Sequence, residues 1–322
     1  MGKVLFTSRR PLGRCENITA VYNAYDGAKD FIQENWGHPN PQIYSDEYSV
    51  MVADDFVPYS PGKLIMLTHG ASGGKRYGMN HRGGYHNAEQ AKLIDYVVST
   101  SAATVALEAE QHGVPIEKVL PLGMPRMDAY HGKVKGDGGT VFAGKRMYLY
   151  APTFRSPVDP PLPVVDWKYI NAALRDDEIF VVKRHMVTPR PMLRRMYPHV
   201  VEIPNTEPST PYLIDCDVLI TDYSSIMFDA HVLGKPVVLF ESNSDYQRTR
   251  GMSYPYPDGY ASRFAMTADR MLIAARQADK PGEEDMRCRE RACGACDGHA
   301  TERVVELIRR VANEDPDCGP DL

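Results

Sequence analysis

Four hydroxyls and one carboxylate stand side by side at Thr221-Asp222-Tyr223-Ser224-Ser225. They follow the apolar run Val218-Leu219-Ile220 and precede the largely apolar Ile226-Met227-Phe228-Asp229-Ala230, with Gly234 and Pro236 after it. A short β-branched run, a polar turn, a helical pattern and a glycine stop describe a strand, loop, helix and next strand. A helix start offers unpaired N–H groups and the positive end of the helix dipole, so it suits an anion. Capping accounts for one such polar residue; the whole cluster points further, to phosphate, with Ser224 and Ser225 as hydroxyl donors.

Other polar groups recur where apolar runs end. "LTHGASGGKRYG" (67–78) sets His69 and Gly70 after a strand run, then Lys75 and Arg76 in a glycine-rich loop. A histidine there suits a general base, with a structural histidine as the plainer reading, and the basic loop suits a phosphate or an acceptor, with an ordinary surface loop as the alternative. "IFVVKRHM" (179–186) brings Lys183, Arg184 and His185 to a strand end, with Lys183 and His185 on one side by alternation. Cations there would neutralise a diphosphate; a solvated strand end reads as well from this segment alone. "YLYAPTFR" (148–155) ends with Thr153 and Arg155, "LPLGMPRMD" (120–128) with Gly123, Arg126 and Asp128, and "DYQRTRG" (245–251) carries Arg248 and Arg250. Each has a plainer reading as a turn or a surface ion pair. H-E-x-x-H, G-x-S-x-G, Walker A and clean G-x-G-x-x-G patterns are missing, which weighs against hydride transfer and P-loop hydrolysis.

To gather these groups, strand runs must alternate with helices. Strands are expected at Lys3–Phe6, Ser49–Val52, Leu64–Leu67, Tyr96–Ser99 and Val119–Leu122, then at Arg146–Tyr150, Ile179–Lys183, Val200–Ile203, Val218–Ile220 and Val237–Phe240. Helices are expected at Asn17–Asn35, Ala102–His112 and Thr301–Val311. That rhythm predicts an α/β chain with parallel sheets. The five glycines in 132–145 mark a linker, and 155–166 reads as a proline-rich surface loop. The expected division is 1–140, 141–300, and a closing helix and tail at 301–322, with a cleft between two halves and ligands at the carboxyl ends of the strands.

The 322 residues suit two domains, and a net charge of −5 argues against a nucleic-acid partner. No apolar run reaches membrane-spanning length and the N-terminus is not patterned as a signal peptide, so the expected location is cytoplasmic. Six cysteines are too few for a disulfide scaffold. Cys288, Cys293 and Cys296 have the C-x4-C-x2-C spacing of part of an iron–sulfur pattern, with Cys318 as a fourth ligand; free thiols in a mixed-charge segment are the preferred reading.

Taken in order, "GMPRMD", "YAPTFR", "VVKRH", "DVLITDYSSIMFDA", "GKPVVLF", "DYQRTRG" and "DGHATERVVELI" closely resemble the CDP-glycerol glycerophosphotransferase family, which includes teichoic acid primases and polymerases. The resemblance covers roughly 63–311 and implies a GT-B-like fold of two Rossmann-like domains facing an interdomain cleft, acceptor-side first and CDP-donor-binding second. It implies transfer of glycerol phosphate, or ribitol phosphate in relatives, from a CDP-alditol donor to a hydroxyl of a glycan or polyprenol-linked acceptor, with release of CMP. By motif, His69 matches the catalytic base and His185 a second histidine near the donor diphosphate. Ser224 and Ser225 match donor-phosphate hydroxyls and Asp229 an acidic donor-site residue, while Arg155 and Arg250 fall in matching motifs. Thr153, Lys183 and Thr221 join the expected donor set; Gly70, Lys75, Arg76 and Arg126 form the acceptor set. Thr68 stands where the family often has tryptophan, and Met186 where it often has proline.

The expected reaction is direct phosphoryl transfer by positioning and charge neutralisation. No cofactor is identified, and the sequence leaves open whether a divalent metal assists. Peripheral contact with the inner face of the membrane is expected for a polyprenol-linked acceptor. A GT-B glycosyltransferase using a UDP- or GDP-sugar and a CDP-ribitol-dependent transferase are the rival enzymes; a non-catalytic nucleotide-binding protein is the rival from another class.

Overall fold

The computed structural model describes residues 2–34, 40–55, 57–68, 70–76, 88–155, 161–185, 188, 193, 195–241 and 251–313. By contacts the chain divides into two units. The first comprises Met1–Ser72, Tyr77–Ala129 and Arg291–Leu322; the second comprises Gly73–Arg76 and Tyr130–Glu290.

In the first unit the order is β1 (Lys3–Ser8), α1 (Glu16–Ala24), β2 (Lys29–Gln33), β3 (Tyr48–Ala53), β4 (Lys63–Leu67), α2 (Ala88–Leu93), β5 (Ile94–Val98), α3 (Val105–His112) and β6 (Val119–Leu120). The strands form one sheet, β2-β1-β3-β4-β5-β6, and all pairs are parallel. Successive strand residues face opposite ways, so the two faces bury different cores. Val4, Phe6, Val50, Val52 and Ile65 pack with α1 and the helix Ala300–Asn313, while Leu5, Met51, Ala53, Leu64 and Met66 pack on the other face. Burial on both faces is what a parallel sheet requires.

The second unit repeats the design with β7 (Arg146–Tyr150), α4 (Trp167–Ala173), β8 (Glu178–Lys183), β9 (Val200–Ile203), α5 (Thr210–Asp215), β10 (Val218–Thr221), α6 (Ile226–Val232), β11 (Val237–Phe240) and β12 (Arg263–Ala265). Its sheet runs β12-β11-β10-β7-β8-β9, again wholly parallel. The expected fold class, two α/β units on parallel sheets, is the observed one.

Three sequence expectations change. The helix expected at Asn17–Asn35 ends at Ala24, and Lys29–Gln33 is an edge strand paired with β1. Gly27 marks the break: a Cβ there would lie 2.4 Å from the Tyr25 Oη. The strand expected at Val119–Leu122 stops at Leu120.

Residues 132–145, read as a linker, are held on the second unit. The Asp215 carboxylate accepts N–H bonds from Gly136 and Gly138, both at 2.9 Å, and from Thr140 at 2.8 Å. Lys135 Nζ meets Asp217 Oδ2 at 2.5 Å. Gly138 approaches so closely that a Cβ would sit 2.1 Å from Pro211 O. Burial alone would raise the Asp215 pKa, but the bonds from Thr140, Gly136 and Gly138 outweigh it and hold the carboxyl below its usual range.

The helix expected at Thr301–Val311 is Ala300–Asn313 and joins the core of the first unit. Its first turn is capped by Asp128, whose carboxylate accepts from Ala300 N–H at 3.0 Å and Thr301 N–H at 2.7 Å. Arg303 Nε donates to Leu122 O at 2.9 Å. Asp128 and Arg303, two of the motif residues, therefore lock the first unit together.

Cys15, Cys216, Cys288, Cys293 and Cys296 are buried free thiols; Cys318 lies outside the described residues. Among the described residues no group of three or more side chains could hold a metal ion, and no helix is long and apolar enough to cross a membrane.

One buried network carries a pH signature. The Glu178 carboxylate, fully buried, accepts from Tyr148 Oη at 2.7 Å and meets Arg276 Nη2 at 2.6 Å. Burial would raise its pKa, but Arg276, Tyr148 and the Arg175 N–H hold it at about 2, below the ordinary 4.5. A depressed carboxyl stabilises the fold above its unfolded pKa and loses that contribution as pH falls through the folded value. Glu178→Gln is therefore expected to be less stable than the parent by on the order of 3 kcal/mol at pH 7, with the gap closing between about pH 4.5 and pH 2. Denaturant melts across that range measure it.

Candidate active site

In the second unit, β7, β8, β10 and β11 end side by side, and their following residues lock together. Thr221, the last residue of β10, donates through Oγ1 to Ala151 O at 2.7 Å. Asp222 accepts the Thr153 N–H on Oδ1 at 2.8 Å and holds Arg155 Nη1 on Oδ2 at 2.8 Å. Arg155 also reaches Thr153 O through Nη1 (3.1 Å) and Glu241 Oε2 through Nη2 (2.9 Å). Arg155, Asp222 and Glu241 are all buried, with side chains 9%, 1% and 3% exposed. Two carboxylates thus enclose one guanidinium.

This arrangement changes the reading of Arg155. Expected among the donor contacts, it has both terminal nitrogens committed to protein partners and braces the loops after β7, β10 and β11. Burial, with the negative charge of Asp222 next, raises the pKa of Tyr150 below this triad, and Tyr256 is raised well above its ordinary value for the same reasons. Both phenols stay neutral. The Tyr223 and Tyr256 rings stack with centroids 4.5 Å apart, which fixes the turn before Ser224.

Beyond that turn, Ser224 and Ser225 are half-buried. Ser225 occupies the N-cap position of α6, yet its side chain makes no cap bond. The capping explanation therefore does not hold for Ser225. Neither hydroxyl has a hydrogen-bond partner among the described residues, so both remain available to a ligand. α6 itself has seven residues, so hydroxyls, more than a long helix dipole, are what this turn offers an anion.

Asp229, on α6, is 4% exposed and accepts from Tyr130 Oη at 2.9 Å. His185 follows β8, is half-buried, and its ring lies 5.0 Å from that of Phe154. The loop after β7 thus carries Thr153 and Arg155 on either side of Phe154 in sequence and packs Phe154 against His185. Lys183 is 7% exposed; its Nζ donates to Arg184 O at 2.9 Å and Pro204 O at 3.3 Å, and burial together with the Arg184 charge lowers its pKa. Arg184 Nε meets Glu202 Oε1 at 3.4 Å. Of the expected donor set, Thr153, Arg155 and Thr221 are brought together, and the second expected histidine, His185, packs on the intervening Phe154; Lys183 is directed to backbone carbonyls, and Arg250 lies outside the described residues.

On the first unit, Asn17 does what the sequence did not announce. Buried in the first turn of α1, it donates through Nδ2 to Thr68 O at 2.9 Å and accepts the Arg126 N–H on Oδ1 at 3.0 Å. It ties the residue before His69 to the GMPR turn. His69 itself lies outside the described residues. Arg126 Nη1 lies 3.8 Å from Glu16 Oε2. Thr68 also lines a shallow depression with Leu67, Val98, Gly123, Met124 and Pro125 at the carboxyl ends of β4, β5 and β6. Gly70 belongs to the first unit, whereas Lys75 and Arg76 are counted with the second. Asp222, Glu241, Tyr130 and Asn17 were not assigned from sequence; Glu241 had the signal of a charge closing an apolar strand run.

Residues 50–310 match the family described as CDP-Glycerol:Poly(glycerophosphate) glycerophosphotransferase. The chain belongs to this family. It is 28% identical over 303 residues to the teichoic acid poly(ribitol-phosphate) polymerase of Bacillus spizizenii (strain ATCC 23059 / NRRL B-14472 / W23), covering 83% of this chain and 47% of that protein. It is 24% identical to the teichoic acid glycerol-phosphate transferase of Staphylococcus aureus (strain NCTC 8325 / PS 47), covering 71% and 63%. The chain thus spans about half the length of the curated relatives it matches. Its fold resembles the wall teichoic acid polymerase TagF, with a TM-score of 0.76 at 17% identity over 98% of this chain and 90% of that one. The S. aureus MnaA–UDP structure matches with a TM-score of 0.64 at 13% identity over the whole of both chains.

Proposed function

We propose that the chain transfers an alditol phosphate, glycerol phosphate first among them, from CDP-glycerol to a hydroxyl of a glycan or lipid-linked polymer, with release of CMP. The family match across residues 50–310 carries this reading. The Ser224 and Ser225 hydroxyls, without hydrogen-bond partners among the described residues, support it, because a diphosphate needs hydrogen-bond donors.

In this reading the acceptor oxygen attacks the β-phosphorus and a new P–O bond forms. The bond from that phosphorus to the bridging oxygen breaks, and CMP leaves with the electron pair. His69 takes the acceptor proton. Ser224, Ser225 and His185 stabilise charge on the diphosphate, and Asp229, oriented by Tyr130, belongs to the donor side. Arg155, Asp222 and Glu241 keep the serine turn in place. The protein's contribution is position and preorganised charge, with little covalent chemistry of its own. Polymer building at the cytoplasmic face of the membrane, through peripheral contact, belongs to the same proposal.

A second reading, transfer of ribitol phosphate from CDP-ribitol, is favoured by the relatives named as ribitol-phosphate polymerases. A donor panel that measures CMP release from CDP-glycerol, CDP-ribitol and UDP-sugars separates the two and tests both.

A further inference from the structure

The segment Gly73–Arg76 is counted with the second unit because it is strapped to residues 251–254. Lys75 and Met252 form an antiparallel bridge. Arg76 N–H donates to Gly251 O at 3.3 Å, and Ser253 N–H donates to Gly74 O at 2.9 Å. A single side chain closes the strap. Tyr260, fully buried, donates through its hydroxyl to Gly73 O at 2.9 Å, and the same oxygen accepts the Tyr254 N–H at 2.9 Å. Its own carbonyl accepts from His231 Nε2 at 2.8 Å, on α6. One residue therefore links the helix that begins after the serine turn, the segment that follows Arg250, and the basic glycine-rich strap.

The strap presents charge. Arg76 is exposed, and its guanidinium has no hydrogen-bond or ion-pair partner among the described residues. Its stem runs over Gly251, where a Cβ would come 3.2 Å from Arg76 Cδ; Gly251 also has φ of +71°, so glycine is favoured there on both counts. An unpartnered cation on a backbone already bonded to residues 251–253 suits a polyanion, because binding need not order the backbone that carries it.

We infer that Tyr260 is a positioning residue for acceptor recognition: its hydroxyl fixes the Gly73–Arg76 strap and thereby sets where Arg76 meets a phosphate-bearing acceptor. This rests on the proposed transfer reaction, whose family description names poly(glycerophosphate).

The test is Tyr260→Phe, which keeps the ring and removes the hydroxyl. With CDP-glycerol and a synthetic tri(glycerol phosphate) as probes, the KM for the oligomer is expected to rise about tenfold while the KM for CDP-glycerol stays within about twofold, as for loss of one buried hydrogen bond acting on one substrate. Hydrogen exchange at the Arg76 and Ser253 amides should accelerate in the variant. Gly251→Ala, which strains the strap from its other edge, should give the same selective rise. Unchanged KM for the oligomer in both variants, or equal changes in both KM values, overturns the inference. Absence of CMP release by the parent protein overturns instead the reaction on which it rests, and the inference with it.

Discussion

His69→Ala is expected to lose turnover by roughly 100- to 10,000-fold, the span that a positioned general base contributes, while binding CDP-glycerol as the parent does. The expectation follows from the family motif that His69 matches and from the strand end that precedes it. β4 is buried at Leu64–Leu67, and Asn17 Nδ2 holds the carbonyl of Thr68 at 2.9 Å. Donor recognition is assigned to groups of the second unit, Ser224, Ser225 and His185, so loss of the imidazole should not reach them. Calorimetric titration with CDP-glycerol, set beside CMP release with saturating acceptor, measures the two effects separately. Parent-level turnover in the variant would remove His69 from the mechanism; loss of donor affinity in step with turnover would make it a binding residue.

Asp222→Ala is expected to cost about 3–5 kcal/mol, the range for removing one partner of a buried ion pair. The carboxylate serves three groups: it accepts the Thr153 N–H, pairs with Arg155, and opposes the second carboxylate, Glu241, across the guanidinium. Without it the Thr153 N–H is left buried and unpaired, a further cost of its own kind. The thermal midpoint should fall by on the order of 10 °C, and CMP release should fall even at temperatures where the variant is folded, because the turn before Ser224 and Ser225 loses its anchor. Asp222→Asn keeps the volume and one acceptor for the Thr153 N–H, so it should recover part of the midpoint. Equal stability of Asp222→Ala and the parent would show that the triad contributes nothing to the fold.

Central strands were legible because they are apolar on both faces. Val218–Ile220 and Val237–Phe240 pair in the middle of a sheet, and their composition alone marks them. The edge strands were not. Lys29–Gln33 carries Lys29, Asp30 and Gln33 and pairs on one side only, so its composition reads as the end of a helix; Arg263–Ala265 is three residues long. The hydroxyl cluster was legible as a site because type and position coincide at one strand end. What it hid was the division of labour inside it. Thr221 and Asp222 turn inward to Ala151, Thr153 and Arg155, while Ser224 and Ser225 have no hydrogen-bond partner among the described residues, a distinction that depends on partners far away in sequence. Glycine content misled at 132–145. Those glycines serve close approach to Pro211 and N–H donation to Asp215, contacts that only the folded unit brings within reach. Asn17 carried no signal, since a lone asparagine at a helix start reads as an ordinary capping residue.

The central claim is the chemistry of the donor, and CMP release tests it most directly. The protein would be incubated with CDP-glycerol, CDP-ribitol, UDP-glucose and UDP-N-acetylglucosamine in turn, with tri(glycerol phosphate) as acceptor, and the released nucleotide quantified. CMP from CDP-glycerol or CDP-ribitol, with the oligomer lengthened by one unit and no UDP released, is the predicted result. UDP from a sugar donor with no CMP would contradict it and make the chain a glycosyltransferase.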